Sequence, residues 1–169
     1  VWDFNTIKQR VLTGTTGNDV LLGYASDDNI SAGEGDDILQ GNAGNDTLYG
    51  DAGNDDLRGN IGDDQLYGGA GNDTITDTEG NNLLSGGAGN DILTGHGTLD
   101  GGADNDTLTG SQGADIYIFG KGYGQDTIFN ADTDTLNTNA DKILFDASIT
   151  PDNIHLQNSN NDLVITVDG

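Results

Sequence analysis

Residues 41–67 run GNAGNDTLY, GDAGNDDLR and GNIGDDQLY, three consecutive nonapeptides that share the pattern G-x-x-G-[ND]-D-x-[LI]-x. Each unit joins an acidic, glycine-rich turn to one aliphatic residue at the eighth position. A short fixed period is typical of a solenoid, in which one small structural unit stacks on copies of itself. The stretch therefore predicts a repetitive architecture rather than a mixed globular core.

The repeat keeps its register far beyond these three copies. Its units begin, in order, at Gly14, Gly23, Ala32, Gly41, Gly50, Gly59, Gly68, Asp77 and Gly86. The eighth position is apolar in each: Leu21, Ile30, Leu39, Leu48, Leu57, Leu66, Ile75, Leu84 and Leu93. One aliphatic residue between mostly polar neighbours predicts a short strand with a single inward side chain. Glycine permits positive φ in the turn, and its frequency excludes a helix, so the predicted fold class is all-β.

The register slips once, in residues 95–100, which are three residues short of a full repeat. We expect Leu99 to serve as the strand aliphatic there, after a truncated turn. Two further repeats begin at Gly101 and Gly110. The last one ends in the apolar and aromatic residues 116–119, which we expect to cap the final coil.

The two ends of the chain lack the repeat. Residues 1–13 contain the only tryptophan, Trp2, and predict an N-terminal cap strand. After position 119, apolar residues alternate in 141–145, 153–156 and 163–167, which predicts antiparallel strands of a small β cap. The expected domains are therefore 1–13, a solenoid over 14–119 and a capping region over 120–169.

The composition favours a cation as ligand. The chain has 29 acidic and 5 basic residues and a net charge of −24, which excludes nucleic acid and anionic membranes because both require clusters of Lys and Arg. It has no cysteine, and therefore neither disulfides nor thiolate metal sites. No apolar run reaches membrane-spanning length, and no secretory signal is present. Such an acidic chain can also be disordered when cations are absent.

The aspartates at the sixth position predict where the cations bind. If successive strands alternate between two sides, turns 18 residues apart stack at about 4.8 Å, and their carboxylates repel unless a divalent ion lies between them. One predicted ladder contains Asp19, Asp37, Asp55, Asp73, Asp91 and Asp106; the other contains Asp28, Asp46 and Asp64, then weakens at Asn82 before Asp115. Calcium prefers such oxygen ligands, and we expect about six to eight ions in total.

These residues resemble the RTX (repeats-in-toxin) family over positions 14–119. The resemblance implies a right-handed parallel β-roll with calcium between stacked turns. In each site, the carbonyls of positions two and four and the Asp of one turn would join the carbonyls of positions one and three and the Asp of the next turn on that side. Sites that involve Asn82 depart from this pattern.

Transferred residue by residue, the family pattern predicts seven sites. The five on the first ladder would use Thr15, Gly17 and Asp19 with Ala32, Glu34 and Asp37; Gly33, Gly35 and Asp37 with Gly50, Ala52 and Asp55; Asp51, Gly53 and Asp55 with Gly68, Ala70 and Asp73; Gly69, Gly71 and Asp73 with Gly86, Ala88 and Asp91; and Gly87, Gly89 and Asp91 with Gly101, Ala103 and Asp106. The two on the second ladder would use Tyr24, Ser26 and Asp28 with Gly41, Ala43 and Asp46, and Asn42, Gly44 and Asp46 with Gly59, Ile61 and Asp64.

The tail, with residues 122–128 and 141–145, resembles the haemolysin-type calcium-binding related domain that flanks such repeats. Family context implies a secreted or cell-surface bacterial protein, exported by a type I system and folding in extracellular calcium. We expect the chain to be a monomeric fragment that acts as a folding switch and rigid spacer. The parent could be a toxin, an adhesin, or a hydrolase or epimerase with its catalytic domain elsewhere.

Two other functional classes compete with this interpretation. An enzyme is not expected, because His96 and His155 are far apart in sequence and no nucleophile elbow or HExxH motif occurs. An adhesion or glycan-binding module would need a regular ladder of outward side chains. The outward positions, which include Tyr49, Arg58 and Tyr67, predict a mixed set without such a ladder.

Overall fold

The protein is described here from a computed structural model, which covers residues 10–130, 140–147, 149–151, 154–159 and 162–167. These residues form fifteen β-strands and no α-helix. In chain order the strands are β1 (Arg10–Thr13), β2 (Val20–Leu22), β3 (Asp28–Glu34), β4 (Ile38–Ala43), β5 (Thr47–Ala52), β6 (Asp56–Ile61), β7 (Gln65–Ala70), β8 (Thr74–Ala88), β9 (Ile92–Ala103), β10 (Thr107–Gly110), β11 (Ile116–Phe119), β12 (Thr127–Asn130), β13 (Lys142–Phe145), β14 (Ile154–Ser159) and β15 (Asp162–Val167).

The strands stack in parallel on two faces. On one face β1, β3, β5 and β7 pair in that order; on the other, β2 pairs with β4 and β4 with β6. Residues 18 positions apart are partners, as Leu48 and Leu66 are between β5 and β7. The long strands β8 and β9 run through both faces and join them. This alternation confirms the predicted parallel β-roll, in which one coil consists of two nonapeptides.

The core between the two faces consists of the eighth-position side chains. Ile30, Leu39, Leu48, Leu57, Leu66, Ile75, Leu84, Leu93, Leu99 and Leu108 are all 0% exposed, and Tyr117 is 2% exposed. In the first described strands, Leu12 and Leu21 are partly buried and pack against this core. Each repeat thus contributes one large apolar side chain, and the roll has a thin core.

The fifth-position side chains form a separate hydrogen-bonded row along the surface of the turns. The fifth-position oxygen accepts the backbone N–H of the fifth residue in the next stacked turn, as Asp27 Oδ1 does from Asn45 at 2.9 Å and Asn45 Oδ1 does from Asp63 at 3.0 Å. Asn and Asp both offer this acceptor, which explains why the repeat allows either residue there. The fifth position therefore stabilises the stacking from an exposed site.

The slipped segment keeps the stacking by shortening its turn. Leu99 pairs with Leu84 in β8 and with Tyr117 in β11, and Gly97 pairs with Asn82. These pairings confirm Leu99 as the strand aliphatic. The three missing residues are therefore lost from the turn, and the next strand remains in register.

Residues 116–119 and 141–145 differ from the prediction in two ways. Strand β12 pairs in parallel with β10, and β13 pairs in parallel with β11, so the prediction of an antiparallel strand over 141–145 is wrong. The expectation that residues 116–119 end the stack is also wrong, because β13 covers β11 and the ring of Phe119 contacts that of Phe145.

The antiparallel part of the predicted cap is present in the last two strands. Strands β14 and β15 form a separate two-stranded sheet with antiparallel pairing, from Ile154 opposite Val167 to Ser159 opposite Asp162. At the other end of the chain, β1 pairs in parallel with β3. Trp2 and the rest of residues 1–9 lie outside the described residues, so the N-terminal cap stays a prediction.

The outward side chains form mixed rows on both faces. On the face of β6, β8, β9, β10 and β12, Thr76, Thr94 and Thr109 follow one another in register, but Arg58 precedes them and Phe129 follows them. In the row beside it, Ile92 stands between Thr74 and Thr107. On the opposite face, Tyr49 and Tyr67 stack with ring centroids 5.1 Å apart beside serine neighbours. The described strands thus agree with the predicted mixed set, which includes one short run of threonines.

Candidate metal sites between stacked turns

The sixth-position aspartates form hydrogen-bonded ladders along both edges of the roll. The backbone N–H of Asp37 donates to Asp55 Oδ1 at 2.8 Å, and that of Asp55 donates to Asp73 Oδ1 at 2.8 Å. On the other edge, the N–H of Asp46 donates to Asp64 Oδ1 at 2.6 Å. One carboxylate oxygen of each aspartate thus fixes the preceding stacked turn.

The second carboxylate oxygen of these residues is buried and has no hydrogen-bond partner. This holds for Oδ2 of Asp37, Asp46, Asp55, Asp64, Asp73, Asp91, Asp106, Asp115 and Asp126. Asp28 presents Oδ1 in the same way, because its Oδ2 accepts the N–H of Tyr24 at 2.6 Å. A buried carboxylate oxygen without a donor is costly, so a periodic row of them indicates positively charged ligands.

Glycine at position one leaves the space that these oxygens face. A Cβ on Gly50 would meet Asp55 Oδ2 and would lie 2.6 Å from the carbonyl oxygen of Gly68 in the next stacked turn. The same two atom types converge at Gly86, where Asp91 Oδ2 and the carbonyl of Gly101 take these roles. The repeat therefore keeps a small cradle lined by a carboxylate oxygen and a carbonyl oxygen.

Positions two and four of most turns adopt the left-handed backbone conformation. Gly53 and Gly71 at position four have φ of 140° and 132°. Position two is left-handed in Asn42, Asp51 and Asn60 as well, with φ of 79°, 72° and 79°, because Asn and Asp tolerate this region better than other side chains. The glycine-rich pattern is thus required by the turn.

The donor set is made of oxygen. In the described part of the chain, no group of three or more His, Cys, Asp or Glu side chains could hold a metal ion. A site between turns must therefore combine one or two aspartates with backbone carbonyls. Hard oxygen ligands of this kind fit Ca²⁺, which takes six to eight of them, and do not fit the nitrogen and sulfur preference of zinc.

The turns that the sequence predicted to share sites do stack on one another. Asp51 pairs with Gly69, Gly69 with Gly87 and Gly87 with Gly102 on the first ladder, and Asn42 pairs with Asn60 on the second. The position-three carbonyls already accept one hydrogen bond, as that of Ala70 does from Gly53 at 2.8 Å, which leaves each a second lone pair. Their part in binding an ion stays a prediction.

Burial makes these aspartates hard to ionise. Burial, together with the neighbouring carboxylates of the same ladder, raises the pKa of Asp46 and Asp55 from 3.8 to about 6. The pKa of Asp91 is raised to about 7 by burial and by the charges of Asp73 and Asp106. A bound cation would remove this repulsion, so the ladder is an electrostatic arrangement that favours cation binding.

The second ladder is interrupted where the sequence predicted. Asn82 Oδ1 still accepts the N–H of Asp64 at 2.8 Å, but Asn82 carries no charge. In the truncated turn Gly97 replaces the aspartate, and its N–H donates to Asp115 Oδ1 at 2.8 Å. His96 Nδ1 lies 3.0 Å from the same oxygen. The imidazole thus takes part of the space that a regular turn would leave open.

Three aspartates that the ladders did not include belong to the same arrangement. Asp126 Oδ1 accepts the N–H of Asp106 at 2.9 Å, and Asp141 Oδ1 accepts that of Asp115 at 2.8 Å. Both stand two residues before an aliphatic strand residue, a sequence signal that irregular spacing concealed. The third, Asp77, replaces a position-one glycine, is 2% exposed and points inward.

Comparison with known families agrees with this geometry. The family model of the RTX calcium-binding nonapeptide repeat matches residues 11–39, 31–66, 67–97 and 94–126. No curated protein matches the chain. None of the described residues forms a helix long and apolar enough to cross a membrane. Since the family matches cover well over half of the sequence and the aspartate ladders fit the ion, the chain belongs to the RTX calcium-binding nonapeptide repeat family and is a calcium-binding β-roll.

Proposed function

We propose that this β-roll is the calcium-dependent folding module of a secreted bacterial protein and has no catalytic activity of its own. The observation that carries the proposal is the row of buried aspartate oxygens without partners on both edges of the roll. Without cations these charges repel across about 4.8 Å. The thin core, with one large aliphatic residue per repeat, offers little to offset that repulsion.

Calcium bound between the turns would neutralise the carboxylates and link one coil to the next. The residues that would hold it are the position-six aspartates together with the carbonyls of positions one to four, as transferred from the family pattern. Asp Oδ1 would keep its backbone hydrogen bond, and Oδ2 would face the ion. With about six to eight such sites, folding becomes strongly dependent on the calcium concentration.

This dependence suits export by a type I system. The chain would remain unfolded during passage through a narrow channel in low cytosolic calcium, and it would fold outside, where calcium is abundant. After folding, the stacked parallel strands would form a rigid spacer for a toxin, an adhesin or an enzyme domain. An extracellular or cell-surface location follows from the same proposal.

The test is far-UV circular dichroism of the chelator-treated protein, titrated with Ca²⁺ and separately with Mg²⁺. We expect a cooperative transition from coil to β structure with Ca²⁺, because Mg²⁺ demands shorter octahedral bonds and gives up its water reluctantly. A spectrum that is already β-rich in chelator, and does not change with Ca²⁺, would contradict the folding switch.

A second function, adhesion to a polysaccharide, is favoured by a run of three threonines on one face. Thr76, Thr94 and Thr109 lie on neighbouring strands in register, so their side chains follow one another along the outer surface. Co-sedimentation of the calcium-loaded protein with insoluble cellulose and chitin would test it. Binding that is lost in Thr76→Asp/Thr94→Asp but kept in Ser31→Asp, on the opposite face, would support adhesion, and equal behaviour would exclude this surface.

A further inference from the structure

The turn of residues 77–82 departs from the repeat at both of its key positions. Asp77 stands at position one, where most other repeats have glycine, and Asn82 stands at position six, where the others before the slip have aspartate. The regular site would lose one negative charge through Asn82. The two departures lie in the same turn, and they have opposite effects on its charge.

Asn82 keeps the backbone hydrogen bond that a sixth-position aspartate makes. Its Oδ1 accepts the N–H of Asp64 at 2.8 Å, as a regular sixth-position oxygen does. Its amide Nδ2 donates to the carbonyl oxygens of Asp77 at 3.4 Å and Glu79 at 3.1 Å. These are the carbonyls of positions one and three, so Asn82 adds no charge and engages two of the expected ligands.

Asp77 brings a carboxylate to the same space from the opposite end of the turn. A Cβ on Gly59 would run into Oδ2 of both Asp64 and Asp77. These two residues are 1% and 2% exposed, and no group outside the pair donates to either Oδ2. Burial and the adjacent Asp64, whose carboxyl group is within hydrogen-bonding reach, raise the pKa of Asp77 to about 8. Two buried carboxyl groups thus converge on one glycine, and neither forms an ion pair with a basic side chain of the described residues.

We propose that Asp64 and Asp77 together hold a divalent cation between turns 59–64 and 77–82, with Asp77 supplying from position one the charge that Asn82 lacks at position six. The inference rests on the calcium binding proposed above and adds a site that the nonapeptide pattern does not contain. The ligand is a hard cation of the Ca²⁺ class, because the two groups that converge on the space are carboxylates. The competing occupant is a proton shared between the two carboxyls.

The experiment measures bound calcium per chain by equilibrium dialysis at pH 7.5 and atomic emission, on variants whose fold in calcium is checked by circular dichroism. Asp77→Gly restores the usual residue at position one and is expected to bind one ion fewer than the wild type. Adding Asn82→Asp to that variant rebuilds a regular turn and is expected to recover the ion. Asp63→Asn removes an exposed charge from the same turn pair and should leave the number unchanged.

The outcomes separate this inference from the proposed function. If Asp77→Gly binds as many ions as the wild type, the pair holds a proton and the inference is overturned, whereas calcium binding by the roll stands. If the wild type binds no calcium, both fail. If Asp77→Gly does not fold in calcium, recovery of folding by Asn82→Asp supports the inference, and failure to recover contradicts it.

Discussion

The two edges of this roll differ in how faithfully they keep the sixth-position aspartate. On the first edge, an unbroken series from Asp19 to Asp126 links every stacked turn through a carboxylate oxygen. On the second edge, the series passes through Asn82 and Gly97 before it resumes at Asp115. The strands nevertheless stack in register on both faces.

The difference separates two roles of one side chain. Oδ1 accepts a backbone N–H and fixes the stacking, a role that the amide oxygen of Asn82 performs equally well. Oδ2 faces the cradle beside glycine and has no protein partner, a role that requires charge. Stacking therefore tolerates Asn at this position, whereas the ion site needs either Asp there or a carboxylate from elsewhere.

The largest effect is expected from removing both roles at once on the first edge. Asp55→Ala would leave the N–H of Asp37 without its acceptor, which costs about 1–3 kcal/mol, and would also weaken the ions on both sides. Asp55→Asn should keep this hydrogen bond and weaken only the binding of the adjacent ions. In calcium the free energy of unfolding, from urea titrations, should follow wild type > Asn > Ala.

In chelator the order of the first two proteins should reverse. Asp55→Asn removes a buried charge and keeps the hydrogen bond, so its calcium-free form should be more stable than that of the wild type. Equal destabilisation by Asn and Ala in calcium, together with no gain for Asn in chelator, would show that the two oxygens do not have separate roles.

A smaller effect is expected from filling the cradle. In Gly50→Ala the new methyl group would meet Asp55 Oδ2 and the carbonyl of Gly68, and such overpacking costs about 1–3 kcal/mol. Gly17→Ala is the matched control, since a Cβ there has nothing within 4 Å. We expect its free energy of unfolding to change by less than about 0.5 kcal/mol. Equal effects of the two substitutions would contradict the cradle.

Acid should stabilise the folded state of the calcium-free protein. The pKa values of Asp46, Asp55 and Asp106 in the folded protein are about 6, above the ordinary 3.8, because burial and neighbouring aspartates oppose ionisation. The folded state therefore binds more protons than the unfolded one between these values. This contribution to stability is fully present below pH 4 and is lost as pH rises through about 6.

Circular dichroism of the calcium-free protein between pH 4 and 8 checks the sign. We expect β structure to decrease with rising pH, and added calcium to increase stability less at pH 5 than at pH 8, because protons already occupy the same oxygens in acid. Calcium-free stability that increases over this range would contradict the assignment of raised pKa values to the ladder.

The smallest effect belongs to the truncated turn on the second edge. His96→Ala removes the 3.0 Å contact with Asp115, yet the N–H of Gly97 continues to donate to the same oxygen. A partly exposed pair of this kind contributes about 1 kcal/mol or less. Urea unfolding in calcium should show that decrease, with Arg58→Ala, which breaks a more exposed pair with Asp56, as the weaker control. A loss above 2 kcal/mol would mean that His96 holds the turn together.

Much of this arrangement could be predicted from the sequence. A nine-residue repeat with one aliphatic position predicts a stacked solenoid, the inward row from Ile30 to Leu108 and the aspartate ladders, and the family resemblance adds the parallel roll. The slip was also predictable, because Leu99 is the only aliphatic residue in the shortened unit. These inferences succeed because each coil repeats the same local contacts.

The other features of the structure depend on contacts that the nonapeptide pattern does not specify. Asp126 and Asp141 join the ladders after insertions of irregular length, so their partners lie 20 and 26 residues away instead of 18. Strand β13 looked antiparallel because its alternation of apolar residues does not indicate strand direction. The meeting of Asp64 and Asp77 at Gly59 required knowledge of which turns stack and which side chains point inward.

The most direct test of the calcium-dependent fold is the free energy of unfolding, measured by urea titration at several fixed free calcium concentrations. If the ladder oxygens bind ions only in the folded state, stability should rise by about 1.4 kcal/mol per bound ion for each tenfold increase in calcium once the folded-state sites are occupied. A slope equivalent to about six or more ions is the predicted result. A free energy of unfolding that does not depend on calcium would contradict the account.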